Sequence, residues 1–66
     1  MRIELNGAPT ELADDTTLVG LIEDRLGGTR GAAVVVDGSV VPRSAWPQFR
    51  VADGQRVELI TAVQGG

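Results

Sequence analysis

Few of the 66 residues carry groups able to do chemistry, and those groups are restricted in type. Cysteine and histidine are both absent. That removes the thiolate nucleophile, any cysteine-ligated metal, and the commonest general base and metal ligand. Lysine is missing as well, the six basic residues being arginines at positions 2, 25, 30, 43, 50 and 56. Ser39 and Ser44 therefore have no histidine or lysine to activate them, and no side-chain amine can accept an isopeptide bond. The nine acidic residues fall mostly beside turns or on one face of a helix-like segment, the pattern of solvated charge rather than of paired catalytic carboxylates. Gly7, Gly38 and Gly54 belong to separate turns and form no phosphate-binding loop. What remains is the chain end, Gly65-Gly66 with its carboxylate. Two residues without Cβ adopt almost any φ/ψ and can thread a channel too narrow for others. Taken alone, such an ending favours the reading of an ordinary frayed terminus.

The elements ahead of that end must present it. Arg2-Ile3-Glu4-Leu5 alternates polar and apolar, the period of a half-buried strand. Asn6-Gly7 then reads as a hairpin turn and nothing more, since both residues tolerate positive φ. The returning strand, 8–12, is weaker, and Pro9 places it at a sheet edge. Asp14 and Asp15 precede Thr16 and Thr17, either of which can cap a helix while the aspartates favour the positive end of its dipole. Leu18, Leu21, Ile22 and Leu26 recur at helical spacing as one apolar face, with Glu23, Asp24 and Arg25 mainly on the other. Gly27-Gly28 stops the helix. Gly20 lies inside it at a cost of roughly 1 kcal/mol relative to alanine, which close packing against a sheet would explain.

The run 32–36 is continuous and apolar, and reads as a central strand covered on both faces or nearly so. Asp37-Gly38 turns it into Ser39-Val40-Val41, and Pro42 ends that strand. The stretch 43–49 is irregular, with one helical turn before Pro47. Trp46 and Phe49, the only aromatics, close one end of the core, and for Trp46 packing is favoured over ligand stacking. Asp53-Gly54 opens the last strand, 56–63, from which Gln64-Gly65-Gly66 trails. Within it Val57 and Leu59 share one face, and Glu58, Ile60 and Ala62 the other. One helix covers only one side of a sheet. With Val57 and Leu59 in the core, Ile60 and Ala62 face outward on the strand that leads to the tail.

Hairpin, helix, hairpin, irregular turn and strand, in that order, describe an α+β domain with one helix across a mixed or antiparallel sheet. A chain this short buries only ~60% of the surface its unfolded form exposes, which leaves little core for a deep substrate pocket, and an independent enzyme is not expected. With net charge −3 and scattered arginines, no basic face is offered to nucleic acid. The longest apolar run is far shorter than the ~20 residues of a membrane span. Met1 leads into a strand with no signal-peptide pattern before it. A cytoplasmic protein with neither nucleic-acid nor membrane partners is the expectation.

Four features stand in a specific order along the whole chain. Asn6-Gly7 follows the first strand, Val41-Pro42-Arg43 is followed by Trp46, and Asp53-Gly54 opens the last strand. The chain closes with Val57-Glu58-Leu59 and then Ala62-Val63-Gln64-Gly65-Gly66. In these it resembles, from end to end, the sulfur-carrier proteins of thiamine biosynthesis. It departs from their pattern at Ala8-Pro9, where a polar strand is more usual, and at Gln55, where aspartate is common. The resemblance implies a ubiquitin-like β-grasp fold: a mixed sheet of about four to five strands with one main helix packed across one face, the last strand central and parallel to the first. Residues 1–66 would form one carrier domain with a flexible tail at 64–66.

The same resemblance implies a mechanism. A carboxylate is a poor electrophile, so an adenylating partner of the ubiquitin-activating type would use ATP to join Gly66 to AMP. A terminal carboxyl, with a pKa of ~3.5, is ionised and able to attack the α-phosphate. A persulfide or sulfide donor system would displace AMP and leave a thiocarboxylate on Gly66, and a thiazole synthase would take the sulfur into the thiazole ring of thiamine. Gly65 and Gln64 would thread the partner active sites, while Ile60 and Ala62 would dock the partners. The carrier itself would bind no cofactor and no metal. Two rival readings share the glycine pair: the small subunit of molybdopterin synthase, usually a longer chain, and a protein modifier that forms isopeptide bonds through Gly66. A third is a plain interaction domain with an idle tail.

Overall fold

Period-two patterning at the start of the chain has its expected result: in strand β1 (Arg2–Leu5) Ile3 and Leu5 are buried while Arg2 is exposed. The computed structural model describes residues 1–61. Asn6 and Gly7 take φ of 49° and 84°, the left-handed values that a two-residue hairpin turn requires. They return the chain into β2 (Ala8–Glu11), paired antiparallel with β1 from Arg2↔Glu11 to Leu5↔Ala8. Pro9 lies on this strand, which is an edge of the sheet, where a missing N–H costs no ladder bond.

Helix α1 (Leu18–Leu26) is capped by Thr17, whose Oγ1 accepts from the Gly20 N–H at 3.2 Å. Thr16 instead turns its hydroxyl to the Ala13 carbonyl at 2.7 Å. Gly27, at φ 75°, closes the helix and donates its N–H to the Glu23 carbonyl at 3.0 Å. Leu18, Leu21 and Ile22 are buried, but Leu26, in the last residue before the cap, is 38% exposed and lies outside the core. Asp14 and Asp15 precede the Thr17 cap, so the first turn itself holds no acidic residue, and Asp14 is engaged by the chain's own amino terminus. One further expectation is corrected. Gly20 is exposed, and a Cβ there would meet only the Thr17 Oγ1, at 3.3 Å. Packing against the sheet therefore does not explain it.

Strands β3 (Ala32–Val36) and β4 (Ser39–Val41) form a second hairpin through Asp37 at φ 49° and Gly38 at φ 85°. The last strand, β5 (Arg56–Thr61), completes a five-stranded sheet in the order β2-β1-β5-β3-β4. It is parallel to β1 and antiparallel to β3. The central strand is thus β5. The expectation for β3 fails: Val34 and Val36 are buried, but Ala33 is exposed and Val35 only half-buried. Among the described residues one α-helix accompanies the five strands, and it covers a single face of the sheet.

The core joins Ile3, Leu5, Val34, Val57 and Leu59 of the sheet to the buried stripe of α1. Pro42 leads into a single 3-10 turn (Arg43–Ala45), which delivers Trp46 to the core at 2% exposure. Its Nε1–H donates to the Val41 carbonyl at 2.9 Å, and the Arg43 guanidinium lies 5.0 Å from the ring centroid. Trp46 is a packing residue, with Phe49 half-buried against the same core.

Candidate functional site

Of the residues expected to serve the chain end, Ala62, Gln64, Gly65 and Gly66 lie outside the described residues. The strand that leads to them is described. In β5 Val57 and Leu59 face the helix, whereas Glu58 and Ile60 face away, with Ile60 52% exposed. Cross-strand register gives Ile60 its neighbours: Ala33 pairs with Ile60, Val35 with Glu58, and Val40 with Val35. Val40 is 73% exposed. The open face of the sheet therefore carries an apolar patch of Ala33, Val35, Val40 and Ile60 over β5, β3 and β4.

The other half of that face is charged. Arg2 and Glu11 pair at 3.0 Å and Glu4 and Arg56 at 3.1 Å, each across a strand boundary. Such exposed pairs contribute little to stability, about 0.2–1 kcal/mol each, but they mark where the apolar surface stops. Sequence reasoning found Ile60 and missed Ala33, Val35 and Val40. The signal was present, because a two-residue turn at Asp37-Gly38 sets the hairpin register. Once Val34 and Val36 point inward, Ala33, Val35 and Val40 must point out.

Both hairpin turns also grip β5. Asp37 Oδ1 accepts from the Arg56 N–H at 2.9 Å, and the Asp37 N–H donates to the Arg56 carbonyl at 2.8 Å. Asn6 Oδ1 accepts from the Leu59 N–H at 2.8 Å, and its Nδ2 donates to the Leu59 carbonyl at 3.4 Å. Asn6 was expected to be a turn residue alone. Its second function follows from the parallel alignment of β1 and β5, which places the turn beside a strand that is 53 residues away in sequence.

Among the described residues no group of three potential metal ligands occurs, and no polar side chain is buried. Ser39 and Ser44 are both exposed. An open groove of about 390 Å³ runs between the end of β2 and α1, with Glu11, Thr16, Thr17, Asp24 and Arg25 among its walls. No helix among the described residues is long and apolar enough to cross a membrane. The α-amine of Met1 is held above its ordinary value of 8.0, chiefly by its hydrogen bond to Asp14.

Comparison with known proteins converges on one family. The ThiS family model matches residues 3–66. The sulfur carrier protein ThiS of Escherichia coli (strain K12) is 32% identical over 66 residues, an alignment that covers 100% of both chains. The crystal structure of the thiamine biosynthesis protein ThiS from Geobacter metallireducens superposes with a TM-score of 0.84 at 26% identity, again over 100% of each chain.

Proposed function

The chain belongs to the ThiS family, and from that membership we propose that it is a sulfur carrier of thiamine biosynthesis, working through the carboxylate of Gly66. One observation carries this reading: the family match runs through the terminal glycine pair, which comes in sequence after the central strand β5 (Arg56–Thr61). The described body offers a recognition surface, and the sequence supplies no cysteine, histidine or lysine. It acts as a protein substrate, and its partners supply the catalysis.

The chemistry is as follows. The Gly66 carboxylate attacks the α-phosphate of ATP held by an activating enzyme, giving an acyl adenylate and releasing pyrophosphate. Sulfide attacks the acyl carbon and expels AMP, leaving the thiocarboxylate. When a persulfide attacks instead, an acyl disulfide forms, and a thiol of the donor system must cleave its S–S bond to free the thiocarboxylate. A thiazole synthase then takes the sulfur. Gly65 threads the partner sites, since a residue without Cβ passes where others cannot, and Gln64 leads into them. Ile60, with Ala33, Val35 and Val40, docks the partners, and Ala62, outside the described residues, shares that role.

Intact mass of the protein isolated from its native cells tests this reading. A minor species heavier by one oxygen-to-sulfur exchange, alkylated at Gly66 alone, is expected, and deletion of Gly66 should abolish it without unfolding the protein. Persistent absence of that species under thiamine starvation overturns the assignment.

A further inference from the structure

Two turn residues hold the central strand by its edges, and the one nearer the chain end is Asn6. We propose that Asn6 is a positioning residue for sulfur transfer: its amide fixes the point from which β5 leads to Gly66, and so sets where the terminal carboxylate is presented to the activating enzyme. This role rests on the carrier function proposed for Gly66.

The parallel ladder between β1 and β5 includes two backbone bonds donated by β1, Glu4 N–H to the Gln55 carbonyl and Asn6 N–H to the Val57 carbonyl, both at 2.9 Å. There β1 stops, because Asn6 and Gly7 turn the chain away into β2. The next groups on that edge of β5 are the N–H and carbonyl of Leu59, and the Asn6 side chain takes both. On the opposite edge β3 continues two residues further, through Ala33↔Ile60 and Ala32↔Thr61. Leu59 is thus the last of the described residues of β5 held from both edges. The next residue is Ile60, the outward apolar side chain of that strand, and residues 62–66 follow.

Residue type fits this position closely. The turn needs a residue that tolerates φ near 49°, which selects glycine, asparagine or aspartate. Of the three, only asparagine offers both a donor and an acceptor, and Leu59 presents one of each. The corresponding residue of the other hairpin is Asp37, at the same φ. There the Arg56 carbonyl already has the Asp37 backbone N–H, and an acceptor for the Arg56 N–H is all that the side chain must supply. Each turn residue carries the groups that its edge of β5 demands.

Losing the Asn6 amide would move the last two-edged hold among the described residues from Leu59 back to Val57. The carboxylate would then be presented from a point two residues further away, spread over a larger volume around the α-phosphate. Reactions that depend on placement are sensitive to such shifts, and a misplacement of about 1 Å can cost a hundredfold. Contact between the docking patch and the enzyme does not require that placement. The loss should therefore appear in kcat rather than in KM.

A matched pair of substitutions tests this. Asn6→Gly and Asp37→Gly each remove one side-chain grip on β5 while keeping a residue that accepts positive φ. Pyrophosphate release would be measured with the activating enzyme from the same cells at saturating carrier, beside the amide exchange rate of Leu59 and the unfolding free energy. Asn6→Gly should expose the Leu59 amide to faster exchange and lower kcat on the order of tenfold, with KM little changed. Asp37→Gly should lose stability and retain kcat. Asn6→Asp, which keeps the acceptor for the Leu59 N–H, should recover part of the rate; should Asn6→Gly fail to fold, this variant takes its place. A wild-type kcat in the Asn6 variant measured, or an equal loss in Asp37→Gly, overturns the positioning role and leaves the carrier function standing. If the wild-type protein is not adenylated, the carrier function itself falls and takes this role with it.

Discussion

The α-amine of Met1 lies 3.0 Å from the Asp14 carboxylate and also donates to the Leu12 carbonyl at 2.9 Å. This pairing fastens the first residue of the chain to the segment between β2 and α1. It also raises the amine's pKa above its ordinary 8.0, first through the Asp14 hydrogen bond and then through the charges of Asp14, Glu11 and Asp53.

A pH dependence follows, and its sign is fixed. Folding favours the protonated amine, so its contribution is fully present below pH ~8, the unfolded value, and is lost as pH rises through the higher folded value. The sequence holds no histidine, cysteine, tyrosine or lysine, so nothing else titrates between about pH 7 and 11. Urea unfolding should show stability level up to about pH 7.5 and declining as pH rises above ~8. Asp14→Asn should flatten that decline. A decline of equal size in the variant would mean that Asp14 is not its cause.

Gly20→Ala should stabilise the protein by about 0.5–1 kcal/mol, the helix-propensity difference between the two residues. Gly20 is exposed and third in the helix after the Thr17 cap, a position that in capped helices commonly carries a glutamate or glutamine side chain. The only atom near the new methyl is the Thr17 hydroxyl, at 3.3 Å, which must give by a few tenths of an ångström. Destabilisation on chemical unfolding would show that the Thr17 hydroxyl cannot yield.

Trp46→Phe should cost about 2–3 kcal/mol. The ring is buried and its Nε1–H is bonded to the Val41 carbonyl at 2.9 Å. Removal leaves that carbonyl without this partner, a penalty of about 1–3 kcal/mol, and leaves part of the indole volume empty. Guanidinium unfolding followed by circular dichroism reads the loss. A cost under about 0.5 kcal/mol, the range of a neutral surface change, would show that neither the bond nor the packing matters.

Ile60→Asp and Val40→Asp should each leave a folded protein. The expected cost is within ~0.5 kcal/mol for an exposed site, and up to about 1 kcal/mol for aspartate in a strand. Both should raise the activating enzyme's KM for the carrier, while Glu4→Gln, on the charged half of the same face, should not. Unfolding by Ile60→Asp would contradict the exposure of that residue. Normal KM in both aspartate variants would remove the apolar patch from the docking surface.

Much of the fold was legible locally. Alternation in Arg2–Leu5, the Asn6-Gly7 and Asp37-Gly38 turns, the threonine cap, the Gly27 stop and the outward Ile60 are each dictated by a residue and its near neighbours. For such features the physical cause lies within a few positions of chain: a pleat, a positive φ, an orphan N–H. The order of motifs was enough to indicate the family. Periodicity could not say which strand is central. That was decided when β5 came to lie between β1 and β3, a parallel pairing that brings together opposite ends of the chain. The same packing left one face of β3 open, because α1 is a single helix and covers one side. It also gave Asn6 its bond to Leu59, a residue 53 positions away. The sequence by itself determined which residues could turn, cap and alternate; the tertiary structure decided which of them meet, because pairing between distant strands is set by the burial of the whole sheet against one helix and not by any local pattern.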